Sequence, residues 1–342
     1  LRRLSPAARA LVPGRLGGYL RNMLTAFIHF ADGRVSTDTS PETLTDALRD
    51  PQCRFWVDIE KPSDEEVALL DEVFGFHPLA IEDSIQYSQR PKIESYNHIG
   101  DACRQGYFYM VIHGPDTETI RNHLRTKELD LFVSERYLIT IHEEPMVSLR
   151  ELFQRAAADP RVVLEPGIDL LLHSILDKLV DRYQEILDYL EKELDDLEER
   201  ALTRPTPDLL TEIAVKKREL LNLRRIIGPQ REVLAQLTRG EVPFIRESTR
   251  IYMRDVLDHL IRTVEMVELY RDLVLGARDI YLSSINNSLN QIMKTLTMIS
   301  VVALPLTVIT SFFGMNFGVI TRLESSASFW IAVISMLAAV IT

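Results

Sequence analysis

"MKTLTMISVVALPLTVITSFFGMNF", residues 293–317, decides the architecture of this chain. Within it, Leu296–Phe313 gives 18 residues without a charge. At about 1.5 Å per residue they make roughly 27 Å of helix, close to the roughly 30 Å of a bilayer's hydrocarbon core. Gly-Met-Asn then stops the apolar run. Phe329–Thr342 opens a second uncharged segment of 14 residues, and Arg322 and Glu324 are the only charges in the loop between. The pattern predicts a two-helix transmembrane hairpin whose second span is cut short at Thr342. Both ends of such a hairpin lie on one side of the membrane.

The first span continues a longer helix. Glu247–Phe313 is 67 residues with one glycine, Gly276, and one proline, Pro305, a helix of roughly 100 Å if unbroken. Before the membrane it carries an apolar seam at Met253, Leu257, Leu260, Val264 and Val267, a 4-3 spacing that asks for partner helices. Within and just before the span, Asn290, Met293, Thr297, Ser300, Leu304, Thr307 and Ser311 recur at 3-4 spacing down one face. Hydroxyl oxygens facing lipid are costly, so this stripe should face protein or water. Helix–helix adhesion and a water-lined pore both satisfy it. "SSINNSLNQ" (283–291) adds hydroxyls and amides at the near end of the span.

The rest of the chain is soluble in character. Acids outnumber bases 50 to 39 in 342 residues, a net charge of −11, which argues against nucleic acid as a partner and suits cations. Cys53 and Cys103 are the two cysteines, too few for a disulfide framework and without metal-ligand spacing. The first 31 residues hold five arginines and no acid. They read as a disordered basic arm, with an organellar transit peptide as the alternative on composition. "CRFWVDIE" (53–60), "GYFYMVIHG" (106–114) and "LRTKELDLFVSERYLITIHEEP" (124–145) predict strands, the last a hairpin turning at Ser134-Glu135. "SDEEVALLDEVFG" predicts a helix capped by Ser63. Residues 168–200 repeat apolar positions at helical spacing, and Pro205 and Pro207 separate them from a charged helix over about 208–238.

The expected organisation is therefore a basic arm over 1–22, an α+β cytosolic domain with a mixed sheet over 23–165, and long antiparallel helices over 166–245. A stalk helix follows over 246–295, then the first span over 296–313, an external loop over 314–328 and the second span over 329–342.

Gly314, Met315 and Asn316 carry the chemistry of the loop. Mg2+ is small and gives up its water shell reluctantly, so proteins often hold it through that shell. A ring of neutral oxygens selects a hydrated divalent ion without trapping it as a ring of carboxylates would. An asparagine carboxamide repeated around a symmetry axis supplies such a ring. No phosphate-binding loop, nucleophile motif or hydrolytic zinc spacing appears, so the chain does not read as an enzyme.

Residues 293–317 closely resemble the first membrane helix of the CorA family of magnesium channels, including the Pro-Leu-Thr step and the Gly-Met-Asn end. "FGFHPLAIEDSIQYSQRPKIESYNHI" (74–99), "RDVLDH" and "ARDIYLSSINNSLN" (277–290) are similar to further stretches of that family, so the resemblance covers roughly residue 53 to the end. It implies a homopentameric funnel in a bacterial inner membrane, with the N-terminal domain in the cytoplasm and lipid, sister subunits and divalent cations as partners. Asn316 would form the outer selectivity ring and Asn290 a ring at the cytosolic mouth. Met293, Leu296 and Leu304 would be apolar constrictions, with Ser300, Thr307 and Ser311 along the pore. The family pattern favours Leu296 where the stripe selects Thr297, and helix rotation decides between them. The resemblance also implies a divalent sensor between neighbouring subunits, built from Glu82, Asp83, Asp177 and Asp255. Facing carboxylates repel, and a bound Mg2+ removes the repulsion and holds the channel closed.

One departure bears on the ion. The family commonly follows Gly-Met-Asn with Met-Pro-Glu-Leu, whereas this chain reads "GVITRLESSASFW" (318–330), with Arg322 near the place of that glutamate. Mg2+ is the expected cargo and regulator, with Co2+, Ni2+ and Zn2+ as alternatives. ZntB-type zinc transporters share the architecture but usually carry valine at the position of Met315. A membrane metal sensor that does not conduct is the remaining alternative.

Overall fold

The computed structural model describes residues 23–87, 90–96, 106–117, 124–314 and 326–341. The expected basic arm, Cys103, Met315, Asn316, Arg322 and Glu324 lie outside the described residues. The chain divides into two compact units, Leu1–Asp196 with Glu212–Leu275, and Leu197–Thr211 with Gly276–Thr342.

The first unit is built on a mixed sheet of seven strands. In chain order they are β1 (Met23–His29), β2 (Val35–Ser36), β3 (Arg54–Glu60), β4 (Lys92–Tyr96), β5 (Tyr107–Pro115), β6 (Thr126–Val133) and β7 (Tyr137–His142). Their spatial order is β2-β1-β3-β7-β6-β5-β4. Two antiparallel sets, β2-β1-β3 and β7-β6-β5-β4, meet where β3 and β7 run parallel from Phe55↔Tyr137 to Glu60↔His142. The β6–β7 hairpin turns where the Ser134 amide donates to the Tyr137 carbonyl at 2.9 Å.

Period-two alternation gives the sheet two apolar faces. Phe55, Val57 and Ile59 of β3 enter a core closed by α1 (Pro41–Arg49), α2 (Asp64–Glu72) and α3 (Pro78–Ile85). Aromatic rings fill it, with Phe76 stacked on Phe132 at 4.2 Å between centroids and on Phe74 at 5.4 Å. Ser63 starts α2 through a reciprocal capping box with Glu66, which satisfies two otherwise orphaned amides.

Trp56 points the other way. Its ring stacks at 4.6 Å on Phe153 of α4 (Val147–Ala158), and its Nε1 donates to Thr140 Oγ1 at 3.0 Å. The short helix α5 (Pro160–Leu164) follows. Beneath Trp56, the Thr140 hydroxyl donates to Asp58, whose other oxygen meets Nε2 of buried His142 at 3.2 Å. Burial pulls the His142 imidazole down, but the Asp58 carboxylate and the Glu144 carbonyl outweigh it and leave its pKa raised.

Two long helices, α6 (Ile168–Thr203) and α7 (Pro207–Arg239), flank the helix break at Pro205. Tyr183 of α6 donates to the His113 carbonyl of β5 at 2.8 Å. Gln230 of α7 clamps the same residue, accepting from its amide at 3.0 Å and donating to its carbonyl at 3.1 Å. The helix α8 (Glu247–Gly314) then runs 68 residues and passes Pro305 without ending. Its start is fixed to α6 by Asp169, which accepts from Arg246 Nε at 2.9 Å and from Thr249 Oγ1 at 2.6 Å. The last described helix, α9, covers Ser326–Ile341.

Candidate functional site

All eight residues expected along an ion path, Asn290, Met293, Leu296, Thr297, Ser300, Leu304, Thr307 and Ser311, lie on α8 and are exposed in the single chain. So is Gly314, the last residue of that helix. Among the described residues α8 is the one helix long and apolar enough to cross a membrane, and none of its most apolar window is buried. At about 100° per residue the seven stripe residues span about 100° of arc, and Leu296 falls about 20° beyond its Thr307 edge. Both Leu296 and Thr297 therefore fit one face about 120° wide.

Two of the four hydroxyls on this face have a defined polarity. Thr297 donates to the Met293 carbonyl at 2.8 Å, and Thr307 to the Ala303 carbonyl at 2.7 Å. A hydroxyl has one proton and two lone pairs. With the proton held inside the helix, the oxygen offers acceptors outward. That is the polarity a hydrated cation requires, because its bound waters direct their hydrogens away from the metal.

The carboxylates expected to sense a divalent ion fall in two groups. Glu82 and Asp83 sit in α3, whose first turn is set by Pro78 and by the His77 ring accepting from the Leu79 amide at 3.2 Å. Glu82 is exposed and accepts from Gln86 Nε2 at 2.9 Å. Asp83 is in close contact with the Lys92 ammonium of β4. That ammonium also donates to Glu94 at 3.1 Å and lies 5.4 Å from the Tyr109 ring centroid. Burial lowers the Lys92 pKa, but hydrogen bonds to Asp83 and Glu94 outweigh it and the net direction is up.

Asp177 belongs to the second group, on α6. Burial and the neighbouring Asp181 raise its pKa, with Asp255 adding to them, while His173 and His259 act the other way. His259 links the α6 and α8 acids: its Nδ1 is 3.5 Å from Asp181 and its Nε2 4.0 Å from Asp255. The structure thus brings Asp177 and Asp255 into one electrostatic cluster and leaves Glu82 and Asp83 in another. Among the described residues no group of three or more His, Cys, Asp or Glu in one chain could hold a metal ion. These oxygens suit a hard cation, but one chain supplies only part of a coordination shell.

Asp181, His259 and Lys92 are members of these clusters that the sequence reading did not name. Asp181 and His259 stand one helical turn after Asp177 and Asp255, on the same faces, which was a usable signal. Lys92 is basic and sits in a segment not recognised as a strand.

A mixed-sheet α/β unit and a long helix that continues into an apolar segment of membrane length, with hydroxyls along one face, fit a membrane protein that handles cations. The comparisons with known proteins agree. The family of CorA-like Mg2+ transporter proteins matches residues 54–342, and the chain belongs to it. The Bacillus subtilis protein YfjQ is 35% identical over 287 residues, 84% of this chain and 86% of its own length. The cobalt/magnesium transport protein CorA of Thermotoga maritima is 32% identical over 322 residues, 92% of this chain and 89% of its own. The complete structure of the CorA magnesium transporter from Methanocaldococcus jannaschii shares the fold, with a TM-score of 0.78 at 24% identity over 94% of this chain and 96% of that one. Members of this family are divalent-cation transporters, not enzymes.

Proposed function

We propose that this chain is one subunit of a homopentameric channel that admits Mg2+, with Co2+ as a second cargo, down the potential of a bacterial inner membrane. Five copies of α8 surround the axis with the acceptor-lined face inward. Asn316 forms the outer selectivity ring with Gly314 and Met315, and Asn290 the cytosolic ring. Met293, Leu296 and Leu304 constrict the path. The observation that carries this reading is the line of exposed polar side chains from Asn290 to Ser311 down one face of α8, on which Thr297 and Thr307 spend their protons on their own helix and turn their lone pairs outward. Such oxygens accept from the water shell of a hydrated ion without displacing it.

Closure follows from charge. Asp83 and Glu82 of one cytoplasmic domain face Asp255 of the next, with the Asp177 cluster beside them. Internal Mg2+ bound between them cancels their repulsion and stabilises the closed assembly by mass action. Loss of internal Mg2+ restores the repulsion and loosens the ring.

Magnesium uptake into proteoliposomes with a negative internal potential tests the proposal, with the protein beside its Asn316→Ala variant. Flux that the substitution abolishes is expected. Folded pentamers that pass no Mg2+ at low internal concentration would refute conduction and favour the non-conducting sensor.

A further inference from the structure

We propose that Lys92 is a tethered competitor for the divalent ion at Asp83 and so sets the concentration at which the sensor responds. This rests on the reading of Asp83 as a ligand of the regulatory ion. In the single chain, Asp83 already holds a cation, the ammonium of Lys92. The two side chains are about equally shielded, 26% and 28% exposed, so the pair is neither buried nor freely solvated.

A divalent ion coordinated by Asp83 would bring two positive centres within a few ångströms of each other. That arrangement is strongly unfavourable at the intermediate dielectric of a half-buried site. Binding therefore requires the ammonium to leave Asp83. The structure provides its destination. Glu94 already accepts from Lys92 at 3.1 Å, and the other Glu94 oxygen is fixed by the Tyr96 hydroxyl at 2.8 Å. The Tyr109 ring centroid lies 5.4 Å from the ammonium and adds a cation–π contact. Lys92 thus exchanges one carboxylate for another that is already in contact. Release gives up the Asp83 contact but keeps the Glu94 one, so the ammonium opposes binding by about the worth of one ion pair rather than blocking it. A residue that merely oriented Asp83 would not need the second carboxylate.

The experiment uses the full-length protein in detergent and reads binding rather than flux. Protease protection and thermal shift are followed as Mg2+ is added from EDTA, for the protein and for Lys92→Met, Lys92→Gln, Lys92→Arg and Asp83→Asn. Both neutral variants are expected to reach half-protection at about fivefold lower Mg2+, the factor that the upper range of exposed ion-pair energies allows. Lys92→Arg should stay within about twofold of the unaltered protein, because it keeps the charge. Asp83→Asn should raise the midpoint. An unchanged or higher midpoint in Lys92→Met and Lys92→Gln, with Asp83→Asn raised, overturns the competitor and leaves the sensor site standing. No change in Asp83→Asn removes Asp83 from the site, and the competitor with it. Unfolding temperatures in EDTA identify any variant whose fold is damaged, and the second neutral substitution then carries the comparison.

Discussion

Asp169→Asn should unseat the base of α8. Five donors converge on this carboxylate: Arg246 through its amide at 3.2 Å, its Nε at 2.9 Å and its Nη2 at 2.5 Å, Thr249 through its hydroxyl at 2.6 Å, and the Leu170 amide at 3.0 Å. Asparagine keeps the volume but replaces one acceptor oxygen with a donor, so at least one Arg246 contact becomes donor against donor. Breaking a fully buried charge pair costs about 3–5 kcal/mol. Asp169 is 4% exposed but Arg246 is 52% exposed, so the guanidinium recovers part of the loss from water. The expected cost is about 2–3 kcal/mol, the upper part of the range for hydrogen bonds to a charged group. For a unit of more than about 200 residues this lowers the unfolding temperature by about 5–10 °C.

The pH dependence sharpens the test. Burial alone would raise the Asp169 pKa, but the bonds from Arg246 and Thr249 outweigh it and hold the carboxyl below its ordinary value of 3.8. A depressed folded-state pKa contributes stability that is complete above the unfolded value and is lost as pH falls through the folded one. The gap between the protein and Asp169→Asn should therefore be full at pH 7 and shrink below about pH 4. Differential scanning fluorimetry at one fixed scan rate measures both. A gap under about 1 °C at pH 7, or one that stays constant into the acid range, would refute the argument.

Four further outcomes follow from the same physics. Asp58→Asn should lower the unfolding temperature more at pH 6 than at pH 9, because the raised pKa of His142 contributes stability that is lost as pH rises through its folded value. Thr307→Val removes an outward acceptor at constant volume and should cut Mg2+ uptake about tenfold. Thr310→Val lies about 110° from the stripe centre and should change uptake less than about twofold. Phe76→Ala empties the centre of a stacked aromatic cluster and should cost about 3–5 kcal/mol, read as loss of the folded protein in a thermal melt.

The features legible in the sequence are those written as a local period. An uncharged run of membrane length, hydroxyls every three or four residues, and Ser63 three residues before Glu66 each announce an element without reference to anything distant. The helix expected over about 208–238 does run through Pro229 as α7, but its anchor was not legible: Gln230, clamped on His113, fixes the helix at that turn. Nothing local reveals a partner 117 residues away.

Strand β4 is the more instructive omission, because its signal was present and was masked by polarity. "KIESY" (92–96) alternates Lys92, Glu94 and Tyr96 on one side. As the edge of the sheet it carries the charges that keep an exposed strand from pairing with another chain. Those same charges make it resemble a loop. Once it is paired antiparallel with β5, Glu94 stands opposite Tyr109 and Tyr96 opposite Tyr107. The ammonium that meets Asp83 is then fixed by strand register, not by helix periodicity. A cation as the expected ligand points to carboxylates. The group that tunes a cation site is as readily another cation, and only the register of an edge strand reveals it.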